Sequence, residues 1–290
     1  MRQPSRIEAG VDWITSTARI GTEQSDRILH YGNELALDRS KRGIYAQAQR
    51  ILGFDGFISG KTHFIGQSPT HAMLRITGEE ADSAFRTINR AGDHYSRLDI
   101  QVTVWLPELP ETYQNNLYRI LSRNYNKETG KGAVPRRTSD AKGGWTIYSS
   151  ERTNKQMARI YNKYAETPEA HYKGSIRYEL ELKDLYATEM AHMLDIQGLS
   201  YERYILSYLK LWFKRKGIVL PYEARTNDIS PLSVPHPTTD VEKQLQWLER
   251  QVRPTVKRLQ ELGLQEYVTM LLFGSTEPDI SGQSPNNEGS

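Results

Sequence analysis

Arg97–Trp105 reads RLDIQVTVW, and Ile176–Lys183 reads IRYELELK. In both stretches a polar residue alternates with Leu, Ile, Val or Tyr. On a strand, a period of two places Arg97, Asp99, Gln101 and Thr103 on one face, and Arg177, Glu179 and Glu181 on one face. The intervening apolar residues predict strands of an antiparallel sheet with one buried and one polar side. Three carboxylates offered by two strands suit a hard divalent cation, Mg²⁺ or Mn²⁺, bound through oxygen. Solvated Arg–carboxylate pairs across the strands would account for the same alternation.

A third stretch, MARIYNKYAE (Met157–Glu166), places Tyr161 at period two between Arg159 and Lys163. As a strand it would show all three side chains on one face. Two cations beside a phenol favour its ionised form and attract an anion such as phosphate. The plainer reading is a strand tyrosine with solvated basic neighbours, since tyrosine favours strands in any case.

Outward from these stretches the pattern is mixed. AGVDWITSTARI predicts an opening strand, and GTEQSDRILHYGNELALDRS a helix. FDGFISGKTHFIGQSPTHAMLRITG reads as a hairpin or meander, and GEEADSAFRTINRAG as a short helix before the first acidic strand. PETYQNNLYRILSRNY is helical, and the Gly-, Pro- and charge-rich run up to Gly144 is predicted to be a mobile loop. WTIYSS and QMARIYNKYAE form a further hairpin. LYATEMAHML and LSYERYILSYLKLWFKRKG are helical, with a stop at Gly217. The expected architecture is α+β: a largely antiparallel central sheet, helices on its other side, and a C-terminal helical segment.

Domain organisation follows from composition. Residues 1–220 read as one catalytic domain and 221–237 as a Pro/Asn/Ser linker. Residues 238–274 read as helical, with Thr239 as N-cap and Pro254 dividing two helices, and 275–290 as a polar, disordered tail. Within the first domain IGQSPTHAMLRIT resembles YSSERTNKQMARIY, with Met73 and Met157 84 residues apart, and RLDIQV resembles RYELEL 80 residues on. A duplicated unit, about 55–110 and 140–190, would set the two acidic strands side by side and put Thr77 where the second half has Tyr161. Chance similarity between hairpins explains so short a match equally well.

The chain has 290 residues and no cysteine, so disulfide and thiolate chemistry are excluded. It carries no apolar run of membrane-spanning length and no apolar signal core, from which a cytoplasmic location is expected. A net charge of +3 does not mark a nucleic-acid binder, but its distribution points that way. Lys131, Arg136, Arg137 and Lys142 lie in one basic run, and Lys214, Arg215 and Lys216 follow Trp212 and Phe213 in another. Basic runs with interleaved aromatics suit a phosphate backbone, although solvated faces share that pattern. A tyrosine, neighbouring cations and a carboxylate-held metal are together the parts of a phosphoryl transesterification.

The LDIQV, YSSERTNKQMARIYNK and IRYELELK stretches resemble the Rep_trans family of rolling-circle replication initiators, which includes plasmid and phage initiators and related conjugative relaxases. GVDWITST and QLQWLERQVRPTVKRL are similar to its two ends, so the resemblance runs from about Gly10 to Gly274. It implies a nuclease that nicks one DNA strand at an origin and stays joined to the 5′ phosphate through tyrosine. Carried over, Tyr161 is the nucleophile assisted by Arg159 and Lys163, Asp99 and Glu179 are the metal-binding acids, and Glu181 is a weaker addition. Thr103 stands where many relatives carry a further acid, and the chain has no His-hydrophobe-His triplet. The implied partners are origin DNA (duplex or hairpin, and single-stranded at the nick), a host helicase and a second copy of the chain. A conjugative relaxase and a non-catalytic DNA-binding regulator are the alternatives.

Overall fold

The computed structural model describes residues 4–43, 46–59, 63–107, 112–123, 134–140, 143–196, 200–227, 229, 232, 244–245, 247–265 and 268–269. The chain divides into two compact units, Met1–Val234 and Pro235–Ser290.

The first unit is built on one sheet. Its strands are β1 (Arg6–Arg19), β2 (Ala46–Ile51), β3 (Phe54–Ser59), β4 (His63–Gln67), β5 (His71–Thr77), β6 (Tyr95–Trp105), β7 (Arg136–Ser139), β8 (Trp145–Tyr148), β9 (Gln156–Asn162) and β10 (Ser175–Lys183). They run in the order β2-β3-β4-β5-β1-β6-β10-β9-β8-β7, and neighbours pair antiparallel throughout. The two acidic strands, β6 and β10, are adjacent at the centre, with Glu181 opposite Asp99 and Glu179 opposite Gln101.

Period two decides the faces. Ile14, Leu98, Ile100, Val102, Ile176, Tyr178, Leu180, Ala158 and Ile160 turn to one side and are buried in a single apolar cluster. Helices α1 (Glu23–Lys41), α2 (Glu79–Ile88), α3 (Tyr113–Arg123), α5 (Leu185–Ile196) and α6 (Tyr201–Arg215) cover that side, contributing Ile28, Phe85, Leu117, Met190 and Leu209 to the same cluster. Helix α1 starts where Thr22 and Ser25 cap each other reciprocally. Its Gly32 lies so close to Ile65 that a Cβ there would stand 2.6 Å from that side chain, so only glycine lets the helix approach the sheet. The short α4 (Lys163–Glu166) follows β9 directly.

Three features depart from the sequence expectation. β2 and β7 are strands where none was predicted; β7 lies inside the Gly- and charge-rich run and is exposed along its whole length. Tyr222, at the start of the expected linker, is buried and its hydroxyl donates to the Leu206 carbonyl at 3.0 Å. The hairpin echo falls on β4–β5 and β8–β9, but β9 adjoins β10 whereas β1 separates β5 from β6.

In the second unit, Pro254 does not divide two helices. It occupies the first turn of Arg253–Glu261, where its missing N–H costs no hydrogen bond, and the preceding Leu248–Val252 turn runs into it. Thr239 and the tail from 275 lie outside the described residues. No described helix is long and apolar enough to cross a membrane.

Candidate active site on the polar sheet face

The face opposite the helices carries a buried lattice of charges. Asp99 is 0% exposed, Glu179 1% and Glu181 4%, so these carboxylates need partners rather than water. Arg97 forks onto Asp99, with Nε to Oδ1 at 2.9 Å and Nη2 to Oδ2 at 2.6 Å, and reaches Glu181 at 2.9 Å. Arg159 Nη2 donates to Asp99 Oδ2 at 2.7 Å and to Glu179 Oε1. Lys183 pairs with Glu181 at 3.0 Å. The sequence reading offered solvated cross-strand pairs or a cation site; the pairs exist, but buried.

A β-bulge adds a fourth acid. The β1–β6 register shifts between Val11 and Trp13, and Asp12 is the extra residue. Its carboxylate receives Arg177 Nη1, while Arg177 Nε donates to Thr103 Oγ1 at 2.9 Å. The Thr103 hydroxyl in turn donates to Gln101 Oε1 at 2.8 Å. Thr103 is therefore the hydroxyl link of a buried network. Trp13 lies beneath Arg97, whose guanidinium carbon is 3.9 Å from the ring centroid. Nothing in GVDWITST marks the bulge, and so Asp12 was not legible as part of the site.

Arg177 is 4% exposed and Asp12 is its partner, which makes this pair a test of the lattice. Arg177→Met should lower unfolding stability by about 3–5 kcal/mol in a denaturant titration, the usual cost of stranding one member of a buried pair. A loss under about 1 kcal/mol would place the pair with exposed ones.

Tyr161 joins the same face from β9, opposite Arg177 of β10 and Thr146 of β8. Its hydroxyl donates to Glu179 Oε2 at 3.1 Å, and the residue is 5% exposed. The phenol's acidity differs from expectation. Burial, and after it the Glu179 carboxylate, push its pKa well above the usual value, against a smaller opposite pull from Arg177. Arg159 sits on the correct face but spends its charge on Glu179 and Asp99, which outweigh burial and hold it charged. Lys163 is not on that strand face at all. β9 ends at Asn162, whose side chain caps α4 by accepting from Ala165 N at 3.2 Å, and Lys163 opens that helix, paired with Glu166 at 2.7 Å.

Asp99 and Glu179 are within hydrogen-bonding reach of one another, and burial, ahead of all else, raises both pKa values against the pull of the neighbouring arginines. They form a pair of hard oxygen donors of the kind a divalent cation takes. Among the described residues, the trio whose ligand atoms all lie within 4.8 Å of one another is a different one, Glu79, Glu169 and His171, all exposed. Glu181 does not complete such a trio with Asp99 and Glu179.

The basic residues separate. Arg136 is opposite Tyr148 on β8, on the polar side, with its guanidinium carbon 4.6 Å from the Tyr148 ring centroid. Arg137 faces the other way, donating to Asn115 Oδ1 at 2.6 Å and lying over Tyr118. Lys214, Arg215 and Lys216 end α6, on the helical side of the sheet, where Lys216 lies over Trp212. Lys131 and Lys142 lie outside the described residues.

A cavity of about 310 Å³ opens over the β7–β8–β9 end of the polar face. Tyr161, Arg159, Thr146, Tyr148 and Thr138 line it, and Asp140, Gly144, Ala165 and Glu166 stand along its rim. Sequence reasoning missed this cleft because one side of it comes from β7, a strand that was not predicted.

The sheet thus carries helices on one face and a tyrosine hydrogen-bonded to a carboxylate lattice on the other. The chain belongs to the replication initiation factor family, Rep_trans, whose profile matches residues 95–271. The structure is similar to that of the rolling circle replication initiator protein from Geobacillus stearothermophilus, with a TM-score of 0.51 at 16% identity, covering 70% of this chain and 83% of that one. No curated protein matches it.

Proposed function

We propose that this replication initiator nicks one DNA strand on its polar sheet face and holds the end covalently. The observation that carries the reading is the Tyr161 hydroxyl, hydrogen-bonded to Glu179 Oε2 at 3.1 Å and lining the cavity over the sheet. Tyr161 Oη attacks phosphorus as its proton passes to Glu179 Oε2. A bond forms from phosphorus to the phenol oxygen, and the bond to the 3′ oxygen breaks. That oxygen takes a proton from solvent and leaves as a 3′ hydroxyl, while the 5′ phosphate stays on Tyr161. Arg159 lines the same cavity with its charge engaged by Asp99 and Glu179, so its part is to hold those two acids beside the incoming phosphate.

Asp99 and Glu179 are the residues that would hold Mg²⁺ or Mn²⁺, with Glu181 nearby. Such an ion supplies Lewis-acid polarisation of the phosphate oxygens. Arg97 and Arg159 hold the two acids in position and oppose the effect of burial on their pKa values. Lys163, paired with Glu166 on α4, is left outside the step. Origin DNA, a host helicase and a second copy of the chain are the partners this reading calls for, and residues 238–274 would be its C-terminal helical segment.

The test is a supercoiled plasmid carrying the native origin. The protein should convert it to the open-circular form with Mg²⁺ or Mn²⁺ and not with excess EDTA. Binding without any nick, in either metal, would leave a DNA-binding regulator instead.

The two β7 arginines separate by face. Arg136→Ala should weaken origin binding and reduce its salt slope by about one, as one lost phosphate contact does. Arg137→Ala should change the slope less, because Arg137 is turned to Asn115 and Tyr118. Anisotropy titrations at several salt concentrations read both, and equal effects would argue against a DNA path along the polar side.

A further inference from the structure

The register sets out a row of side chains beyond the charge lattice. Across the polar face, Arg177, Tyr161, Thr146 and Thr138 lie in one line, and Glu179, Arg159, Tyr148 and Arg136 in the next. The first two members of each row belong to the cutting site. The outer two, on β8 and β7, have no part in that chemistry, yet Thr138, Thr146 and Tyr148 line the same cavity as Tyr161.

Their chemistry is that of a base-binding subsite. Tyr148 offers an aromatic face on the polar side, half-buried, with Arg136 packed against its ring at 4.6 Å. Thr138 and Thr146 add hydroxyls that donate and accept. At about 310 Å³ the cavity is at the low end of small-molecule sites, about 300–1,000 Å³, with room for one nucleotide and none for stacked base pairs. Asp140 and Gly144 bound it on one side: Asp140 Oδ1 accepts from Gly144 N at 2.8 Å, and a Cβ at Gly144 would stand 3.0 Å from Ala165 of α4.

We propose that this cavity receives a single unstacked base of the DNA strand being cut, stacked on Tyr148 and contacted by the hydroxyls of Thr138 and Thr146. The proposal rests on the cutting site read above and adds to it a base-reading element beside the attacked phosphate. It assigns two kinds of contact to different residues: arginines position the backbone, and the β7–β8 pair senses the base. The substrate at this point is single-stranded, since a base can enter only once its partner strand is lost.

The test uses the Tyr161→Phe protein, so that no strand is cut, and a short single-stranded oligonucleotide of 5-iododeoxyuridine. Irradiation should crosslink the base to Tyr148, within the tryptic peptide 143–152. In parallel, Tyr148→Leu should weaken binding of oligodeoxythymidylate by at least about fivefold, the low end for one stacked base. Tyr148→Phe should retain the affinity. An abasic phosphodiester of equal length should bind the parent and Tyr148→Leu proteins alike, which separates loss of stacking from misfolding. Crosslinks only outside 143–152, or an equal loss for the abasic strand, would overturn the proposal. An adduct on Tyr161 of the unmodified protein alongside those negative results would defeat the subsite alone. A Tyr148 crosslink without any adduct would defeat the cutting reaction and leave the subsite standing.

Discussion

Tyr161→Phe is expected to abolish nicking and the covalent adduct while leaving origin binding within about twofold. The substitution removes one oxygen, the phenol hydroxyl that is hydrogen-bonded to Glu179. Its structural cost is the hydrogen bond to Glu179, about 1 kcal/mol, so the variant should fold. Activity that survives at more than a trace would move the nucleophile elsewhere. Tyr164 is the nearest alternative and is 38% exposed, but it belongs to α4 and not to the strand. Plasmid nicking and anisotropy, run side by side, decide between loss of chemistry and loss of binding.

The second large effect is expected at the acids. Glu179→Gln and Asp99→Asn keep the shape of each side chain and remove the charge. Each should slow cleavage by about 10²–10⁴-fold, the range for losing a positioned proton acceptor or an equivalent charge. Alanine would be the wrong choice, because Arg159 and Arg97 would then face empty space as well as lose a counterion. Glu181→Gln should be milder. The pH dependence has a definite sign. Burial raises the pKa of Glu179 and of Tyr161, so at low pH the acceptor is protonated and the phenol holds its proton. Cleavage should therefore rise with pH above the ordinary carboxylate range and continue to rise into alkaline solution. In Glu179→Gln the lower limb should vanish and only the rise set by the phenol remain. Single-turnover rates across pH would show it, and a wild-type rate that falls above neutrality would contradict the assignment.

Much of this site was legible in three short stretches. RLDIQVTVW and IRYELELK carry their polar residues at period two, which predicts strands with acids on one face; it was the hairpin echo that suggested the two lie side by side. Sheet register then places Asp99 opposite Glu181 without further help. Three things were not legible. Asp12 enters through a bulge, which shifts the face a residue occupies and leaves no mark in the alternation. Lys163 leaves the face because Asn162 caps a helix, a signal present in the sequence but outweighed there by the apparent continuation of the strand. The phenol's acidity was misjudged for a physical reason: spacing along a strand reveals neighbours but not burial, and burial is the largest influence on Tyr161. The basic clusters illustrate the same limit. Charge runs say that a surface is cationic, while only the fold says that Arg136 adjoins the cleft and Lys214 lies behind the sheet.

The central claim is that Tyr161 carries the DNA. It is tested most directly by trapping the reaction on a single-stranded origin oligonucleotide, digesting the protein with trypsin and sequencing the adducted peptide by mass spectrometry. The account predicts a nucleotide-bearing peptide Ile160–Lys163 with the added mass on Tyr161, dependent on Mg²⁺ or Mn²⁺ and absent from Tyr161→Phe. An adduct on Tyr164, Tyr148 or any other residue, or cleavage with no adduct at all, would contradict it.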